Sequence, residues 1–213
     1  MSVVKINYYS PHNLQLNRQS DLIDKKLVHS SCPVFKHKTN RTFIGTSPID
    51  FRMDFDLENH KIIGNTDYGN CVQVSSDLSS KELVLQLSFA QYFFWTDDPD
   101  VWFEFNDHPM TSLKNNFIAI GGWFNLSNWP RSTSLAIVVV DPSKPVILNQ
   151  GDPLFRISFH SQNLDNGIIL NQSNNLKKID ELVTERDASN WRKKLFSKTP
   201  IKKCPFNFVH KKP

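Results

Sequence analysis

The chain has 213 residues, of which 39% are hydrophobic and 12% aromatic. That apolar mass is enough to bury a sizeable core, and it excludes disorder over most of the length. The formal net charge is +4, but residues 192–213 contain eight basic and no acidic side chains, so the remainder carries −4. The basic end is either a solvated terminus or a segment that contacts nucleic acid or an acidic partner, and we favour the solvated terminus.

Cysteine spacing and hydropathy indicate the cellular compartment in which the protein is expected. Cys32, Cys71 and Cys204 are an odd number and stand far apart, which argues against both a disulfide scaffold and a thiolate zinc site. The first ten residues lack the apolar run of a secretory signal, and no stretch approaches the roughly 18 apolar residues of a membrane span. We therefore expect a protein of a reducing cytoplasm that makes no contact with a membrane.

Predicted strands dominate the first 170 residues. The clearest is 49–56, whose odd-numbered residues are apolar and whose even-numbered residues are charged, the period-2 pattern of a half-buried strand. Residues 83–95 are apolar with few breaks and fit either a buried strand or a short helix. A turn is expected at 45–48, between two strands. The other strand-like runs are 3–9, 42–44, 101–105, 116–120, 123–126, 134–140, 146–148 and 154–160.

The pattern changes after residue 170. Residues 174–198 are rich in helix formers, with apolar residues at helical spacing that include Trp191 and Leu195, so we expect two helices or one bent helix. The sequence thus predicts a mostly β protein, a jelly-roll-like β-barrel or sandwich with C-terminal α-helices. Its parts are a β domain over 1–170, a helical segment over 171–198 packed on it, and a basic tail over 199–213.

Motifs for catalysis and for cofactors are absent from the sequence. No histidine is followed two positions later by Asp or Glu, and there is no His-x-His pair, so the patterns of barrel-type metal sites are missing. A nucleophile elbow, a phosphate-binding loop and a dinucleotide fingerprint are also missing. The clustered acidic residues lie in predicted turns or on the polar faces of predicted strands, where contact with solvent explains them. We therefore expect no catalytic residue, no metal and no cofactor.

A candidate ligand site comes from residues 121–131, which place aromatic side chains and one arginine at a corner between strands. One interpretation is a ligand-lined mouth in which Arg131 binds an anion. The other, which we favour, is a packed corner with Arg131 stacked on Trp129 or paired with an acid. In the strand 154–160, Arg156, Ser158 and His160 share one face. The candidate binding residues are therefore Trp123, Trp129, Arg131, Arg156 and His160.

Six short motifs, in order, resemble a family of tailed-bacteriophage proteins of unassigned function, including marine and cyanobacterial phage members. The resemblance runs from about residue 27 to residue 160 and implies a barrel-like fold and a viral setting, without implying any catalytic residue. The Gly-Asp-Pro-Leu turn is also similar to a turn in dUTPase-like β-barrels, although the nucleotide and metal motifs of those enzymes are missing. The motifs are Cys-Pro-Val-Phe at 32–35, Ser-Pro-Ile-Asp at 47–50, Tyr-Phe-Phe-Trp at 92–95, Gly-Trp-Phe at 122–124, Trp-Pro-Arg at 129–131 and Gly-Asp-Pro-Leu-Phe at 151–155.

Three functions remain open from the sequence. The leading hypothesis is a non-enzymatic phage protein, an interaction or assembly module whose partner is another copy of itself or another phage or host protein. The second is a small-molecule-binding protein or an enzyme that acts on host metabolites. The third is a structural component of the virion, such as a neck, tail or decoration protein. The location would be the host cytoplasm or the virion.

Overall fold

The computed structural model describes nine ranges of the chain: 3–11, 14–24, 26, 31–59, 61–64, 72–74, 82–109, 114–162 and 167–188. The described residues up to Asn174 form one compact unit, and those from Asn175 onward belong to a second. Most of the described residues of the first unit lie in strands, which confirms the predicted mostly β fold.

The described residues form fourteen strands. In chain order they are β1 (Val3–Tyr9), β2 (Leu16–Arg18), β3 (Thr42–Thr46), β4 (Phe51–Asp56), β5 (Lys61–Gly64), β6 (Val72–Val74), β7 (Leu83–Trp95), β8 (Val101–Asp107), β9 (Phe117–Ala119), β10 (Gly122–Asn125), β11 (Arg131–Val139), β12 (Val146–Leu148), β13 (Pro153–Ser161) and β14 (Gly167–Gln172). Helices with defined bounds are α1 (Gln19–Leu22), α2 (Pro33–Asn40) and α3 (Leu176–Ala188). None of the described helices has the length and apolar character needed to cross a membrane.

These strands form three sheets. The first has the order β14-β1-β7-β11-β9, with β6 also paired to β7. The second has the order β10-β8-β13-β3-β2, and the third, smaller sheet is β12-β4-β5. All pairings are antiparallel except that of β1 with β14, which is parallel and places Val3 opposite Gly167. The N-terminal strand therefore lies inside a sheet, between β14 and β7.

Strand β7 is central to the first sheet because it is long enough to pair with several other strands. Its first half pairs with β6 and its last residues pair with β1, while β11 runs along its other side. The register shifts between Thr133 and Leu135 of β11, which lie opposite Tyr92 and Leu87. The extra residues of β7 form an irregularity in which Phe89 is buried. There its ring packs against Phe51 of the third sheet, with the ring centroids 5.3 Å apart.

Aromatic rings join the first two sheets face to face. Phe94 of β7 lies 5.2 Å from Phe103 of β8 and 5.8 Å from Phe159 of β13, measured between ring centroids. Tyr92 meets Phe155 edge-on at 5.6 Å. Such edge-to-face contacts are favoured by the ring quadrupoles and add to the burial of large apolar surfaces. All five side chains are at most 1% exposed, so they form the centre of one core cluster to which all three sheets contribute.

Two of the sequence motifs meet in space. The turn at 149–152 leads from β12 in the third sheet to β13 in the second, and Gly151 adopts a φ of 87°, a conformation that favours glycine. Gly151 N donates to Ser47 O, and Ser47 N donates to Asp152 O, both at 2.8 Å. Gln150 N also donates to the Asp50 carboxylate at 2.7 Å. The Ser-Pro-Ile-Asp and Gly-Asp-Pro-Leu motifs thus support each other as one structural corner.

Two features differ from the sequence predictions, and two others add to them. The turn expected at 45–48 begins later, because Gly45 and Thr46 belong to β3. Residues 33–40 form a helix, α2, that the period-2 pattern did not indicate. The segments 116–120 and 123–126 form short strands, β9 and β10, as predicted, and the two strands lie in different sheets. Residues 83–95, for which two structures were open, form a strand.

The second unit begins with helix α3, where Asn175 caps the helix by accepting a hydrogen bond from Lys178 N at 3.1 Å. The described part of the helix ends at Ala188. Residues 189–213, which include Trp191, Leu195 and the predicted basic tail, lie outside the described residues, so the prediction for them stays a prediction.

Glycine at position 45 is required by a close approach between β3 and β13. A Cβ atom added there would overlap the ring of Phe155, which is fully buried. We expect Gly45→Ala to lower the free energy of unfolding by about 1–3 kcal/mol, because a packed core resists an extra methyl group. Urea denaturation measures this. In the control Gly122→Ala, nothing lies within 4 Å of the new Cβ, and an equal loss of stability there would contradict the steric explanation.

The hydroxyl of Tyr92 is buried without a hydrogen-bond partner among the described residues. Burial, with a smaller effect from Tyr8, raises the pKa of this phenol far above its ordinary value. Because an unpaired buried polar group costs about 1–3 kcal/mol, we expect Tyr92→Phe to stabilise the protein by roughly 1 kcal/mol while keeping the ring contacts. Thermal and urea denaturation test this, and a clear loss of stability would contradict it.

Candidate functional site

The outer face of the second sheet carries a cluster of aromatic and polar side chains. Alternation along β8, β10 and β13 turns phenylalanines such as Phe103 and Phe159 inward and leaves the intervening residues outside. The strand registers place Trp123 opposite Glu104, Asn125 opposite Trp102, and His160 opposite Trp102. We call this surface the Trp102–Trp123 face; it consists of Trp102, Glu104, Trp123, Asn125 and His160.

Among the described residues, helix α2 covers the β3 end of this outer face. At the β3 end, Thr42 and Ser158 are buried and their hydroxyls are hydrogen-bonded to each other at 2.9 Å. Thr42 Oγ1 also donates to Lys38 O of α2 at 2.9 Å, which ties the helix to the sheet. At the opposite end β10 is the edge strand, and there the Trp102–Trp123 face is open.

The two tryptophans form a tilted pair with ring centroids 4.8 Å apart and planes inclined by 32°. Trp102 is half-buried, whereas Trp123 is 72% exposed. An indole that is covered by a neighbour on one side and is still this exposed leaves its other face open. Trp123 therefore presents a large flat apolar surface beside polar groups.

Asp100 holds the pair in place from the turn before β8. One of its carboxylate oxygens accepts hydrogen bonds from Trp102 Nε1 and from Asn125 Nδ2, each at 3.0 Å. Asn125 in turn accepts a hydrogen bond from Asn128 N at 3.0 Å. Asp100 has a φ of 53°, a left-handed conformation that aspartate tolerates better than most residues. The face is thus fixed by its own hydrogen bonds.

Glu104 and His160 form a hydrogen-bonded pair at the centre of the face, with 2.8 Å between the Glu104 carboxylate and His160 Nε2. A hydrogen bond from the Asn106 side chain lowers the pKa of Glu104, and the hydrogen bond and charge of His160 and the charge of Lys38 lower it further. Partial burial opposes this shift. Glu104 is therefore an ionised acceptor next to the open face of Trp123.

Arg156 lies on the same face, farther along β13, where it is opposite Asn106. Its Nε donates to the backbone carbonyl of Asp107 at 2.9 Å, which anchors the guanidinium to β8. Burial lowers the pKa of His108, and the charge of Arg156 lowers it further against the opposing effect of Asp107.

Trp129 and Arg131 lie on the other side of β10. Phe124 points towards the core and packs on Phe103, with 4.8 Å between ring centroids, and Trp129 meets Phe124 edge-on at 5.3 Å. The Arg131 guanidinium carbon lies 4.0 Å from the centroid of the Trp129 ring and 5.4 Å from that of Phe124. This is the stacked contact of the packed-corner interpretation, and at these distances it is a favourable cation–π interaction.

The structure thus brings together only part of the sequence-predicted set. Trp123 and His160 share the open face and Arg156 extends it, whereas Trp129 and Arg131 belong to a packed corner. Trp102 and Glu104 were missed, although the alternation in 101–105 that predicted the strand also places both on its outer face. The assignment of the sequence-predicted set as ligand-binding residues stays a prediction.

A cavity of about 500 Å³ lies beside α1 and α2, lined by side chains that include Asp21, Phe35 and Lys36. None of the sequence-predicted residues lines it. Within the ranges given above, no three His, Cys, Asp or Glu side chains gather in a way that could hold a metal ion.

Comparisons with known proteins show a distant structural likeness. No protein-family model matches the sequence, and no curated protein matches it as a relative. Among solved structures, a native EIAV dUTPase is distantly similar in fold, with a TM-score of 0.38 and 9% sequence identity. The alignment covers 80% of this chain and 98% of that one.

The lowered pKa of Glu104, caused first by the hydrogen bond from Asn106 and further by His160, predicts a pH dependence of stability. The pKa of Glu104 is lowered in the folded protein, so its ionised form stabilises the fold above the ordinary pKa, and this contribution is lost as the pH falls through the lowered value. On going from neutral pH to about pH 3, we expect the natural chain to lose more free energy of unfolding than Glu104→Gln. The difference should stay below about 1 kcal/mol, since both side chains are largely solvated.

Urea denaturation at the two pH values measures the effect. Glu181→Gln, at an exposed position of α3, is the control and should follow the natural chain. Identical pH profiles for Glu104→Gln and the natural chain would contradict the stabilising role of the ionised Glu104 carboxylate.

Proposed function

We propose that this chain is a non-enzymatic interaction module that binds its partner through the Trp102–Trp123 face. The observation that carries the proposal is the 72% exposure of Trp123, stacked on a second, half-buried tryptophan. Tryptophan is among the residues most enriched where proteins bind partners, because it offers a large, stiff contact surface with few rotatable bonds. Keeping such a side chain in water is unfavourable unless another molecule covers it.

The rigidity of the face supports the same function. Trp102 and Asn125 are held by Asp100, and Glu104 is held by His160. Side chains that are already ordered lose less conformational entropy on binding, so more of the contact energy appears as affinity. These polar side chains form hydrogen bonds with one another, and a structural role in holding the face explains them without a catalytic one.

The proposed setting is a tailed phage, with the protein in the host cytoplasm or in the virion. The support is the ordered series of motifs between residues 32 and 155, two of which, at 47–50 and 151–155, form one corner of the fold. Mass spectrometry of purified particles of a phage that encodes the protein separates a virion component from a protein confined to the infected cell.

Binding through this face is tested on printed panels of three ligand classes: oligosaccharides, peptides and single-stranded oligonucleotides. We expect at least one ligand whose signal falls roughly tenfold in Trp123→Ala, in line with the loss of an aromatic anchor. Ile118→Ala, which truncates another exposed apolar side chain in the first sheet, is the matched control and should retain the signal.

Two outcomes would overturn the proposal. One is a panel on which no ligand depends on Trp123. The other is turnover of a nucleotide, a sugar or an oxo-acid by the purified chain in a broad activity screen. Circular dichroism of both variants establishes that a lost signal does not come from a lost fold.

A further inference from the structure

We infer that the ligand of the Trp102–Trp123 face is an uncharged carbohydrate chain, with a pyranose ring stacked on the open face of Trp123. This inference rests on the proposed binding role of the face. A pyranose has one face made of C–H groups and a rim of hydroxyls. The C–H groups carry partial positive charge and suit the negative face of an indole. The hydroxyls need donors and acceptors around the edge of the same platform.

The strand register supplies those edge groups. Glu104 lies directly opposite Trp123, and its ionised carboxylate accepts hydrogen bonds from hydroxyl donors. His160 and Asn106 flank that carboxylate through their side chains. A carboxylate held by two neighbours keeps a fixed position while its remaining lone pairs stay available for a ligand. An apolar platform next to an ordered acceptor matches the two sides of a sugar ring.

Charge argues against a polyanion on this surface. Nucleobases also stack on tryptophan, but they bring phosphates that would lie near Glu104 and Asp100. Those two carboxylates accept hydrogen bonds from neighbouring side chains, and residues 1–191 carry a net charge of −4. The positive charges of Lys38 and Arg156 lie farther along the same side, so next to Trp123 the two carboxylates disfavour phosphates and have no such effect on an uncharged oligosaccharide.

The shape of the surface favours a chain ligand over a small molecule. β10 is the edge strand of its sheet, so no strand of the described residues forms a wall beside Trp123. A small ligand is usually enclosed in a pocket that buries most of its surface. An open platform instead covers one side of a ring and lets a polymer continue past the edge, so a hexasaccharide should bind more tightly than its monosaccharide.

The test uses the full chain and isothermal titration calorimetry with cellohexaose, maltohexaose and chitohexaose as neutral probes. A thymidine dodecanucleotide serves as the anionic stacking probe. We expect at least one hexasaccharide to bind with a dissociation constant in the millimolar range or tighter. Trp123→Ala should weaken it by about tenfold or more, whereas Trp123→Phe, which keeps a flat ring, should cost only about threefold.

Glu104→Gln is the second informative variant, because it keeps the size of the side chain but replaces one acceptor oxygen by a donor. We expect it to weaken the same sugar with little change in the melting temperature. Ile118→Ala should bind like the natural chain. If Trp123→Ala fails to fold, the comparison of Trp123→Phe and Glu104→Gln with the natural chain decides the outcome.

The possible results separate this inference from the proposed function. If no neutral hexasaccharide binds, or if binding is the same in all variants, the carbohydrate assignment is overturned. Binding of the oligonucleotide or of a panel peptide that depends on Trp123, without sugar binding, overturns the assignment but keeps the face as a docking surface. If no ligand of any class depends on Trp123, both are overturned.

Discussion

The packing of aromatic rings between the first two sheets is the constraint on which the rest of the structure depends. Phe94 touches both Phe103 and Phe159, and Tyr92 touches Phe155, so β7 is locked to β8 and β13 through rings that cannot change position independently. Large rings pack well only at a narrow set of distances and angles. The register of each strand is thereby fixed, because a slip by one residue would exchange its buried and exposed faces.

The same constraint explains where the chain needs special residues. Gly45 is placed where the Phe155 ring covers β3, so the glycine marks a close approach in the middle of a strand. The irregularity in β7 has a similar cause, since it allows Phe89 to reach Phe51 of the third sheet while Tyr92 and Phe94 keep their contacts with the second. Each departure from regular pairing thus serves the aromatic core.

Much of this could be predicted from the sequence, but only the part that is local. Period-2 alternation located most strands, as in 49–56 and 154–160, because the side-chain direction depends only on the strand itself. The strand partners depend on contacts between distant residues, which is why β9 and β10 were not recognised as members of different sheets. Helix α2 was missed since its side chains, most of them exposed, give no apolar stripe. Gly45 was taken as part of a turn because the ring that covers it is distant in sequence.

The candidate site was likewise predicted only where it depends on neighbouring residues in the sequence. Residues 121–131 suggested one aromatic corner, yet alternation in β10 turns Trp123 outward and Phe124 inward, so Trp129 and Arg131 join the core side. The outer face is completed by β8, where inward Phe103 and Phe105 alternate with outward Trp102 and Glu104. The buried rings that hold β8 in register therefore also fix the spacing of the exposed groups. The core fixes this surface from below, and Asp100 fixes it at its edge. Because its side chains are already ordered before a ligand binds, binding costs less conformational entropy, as selective binding requires.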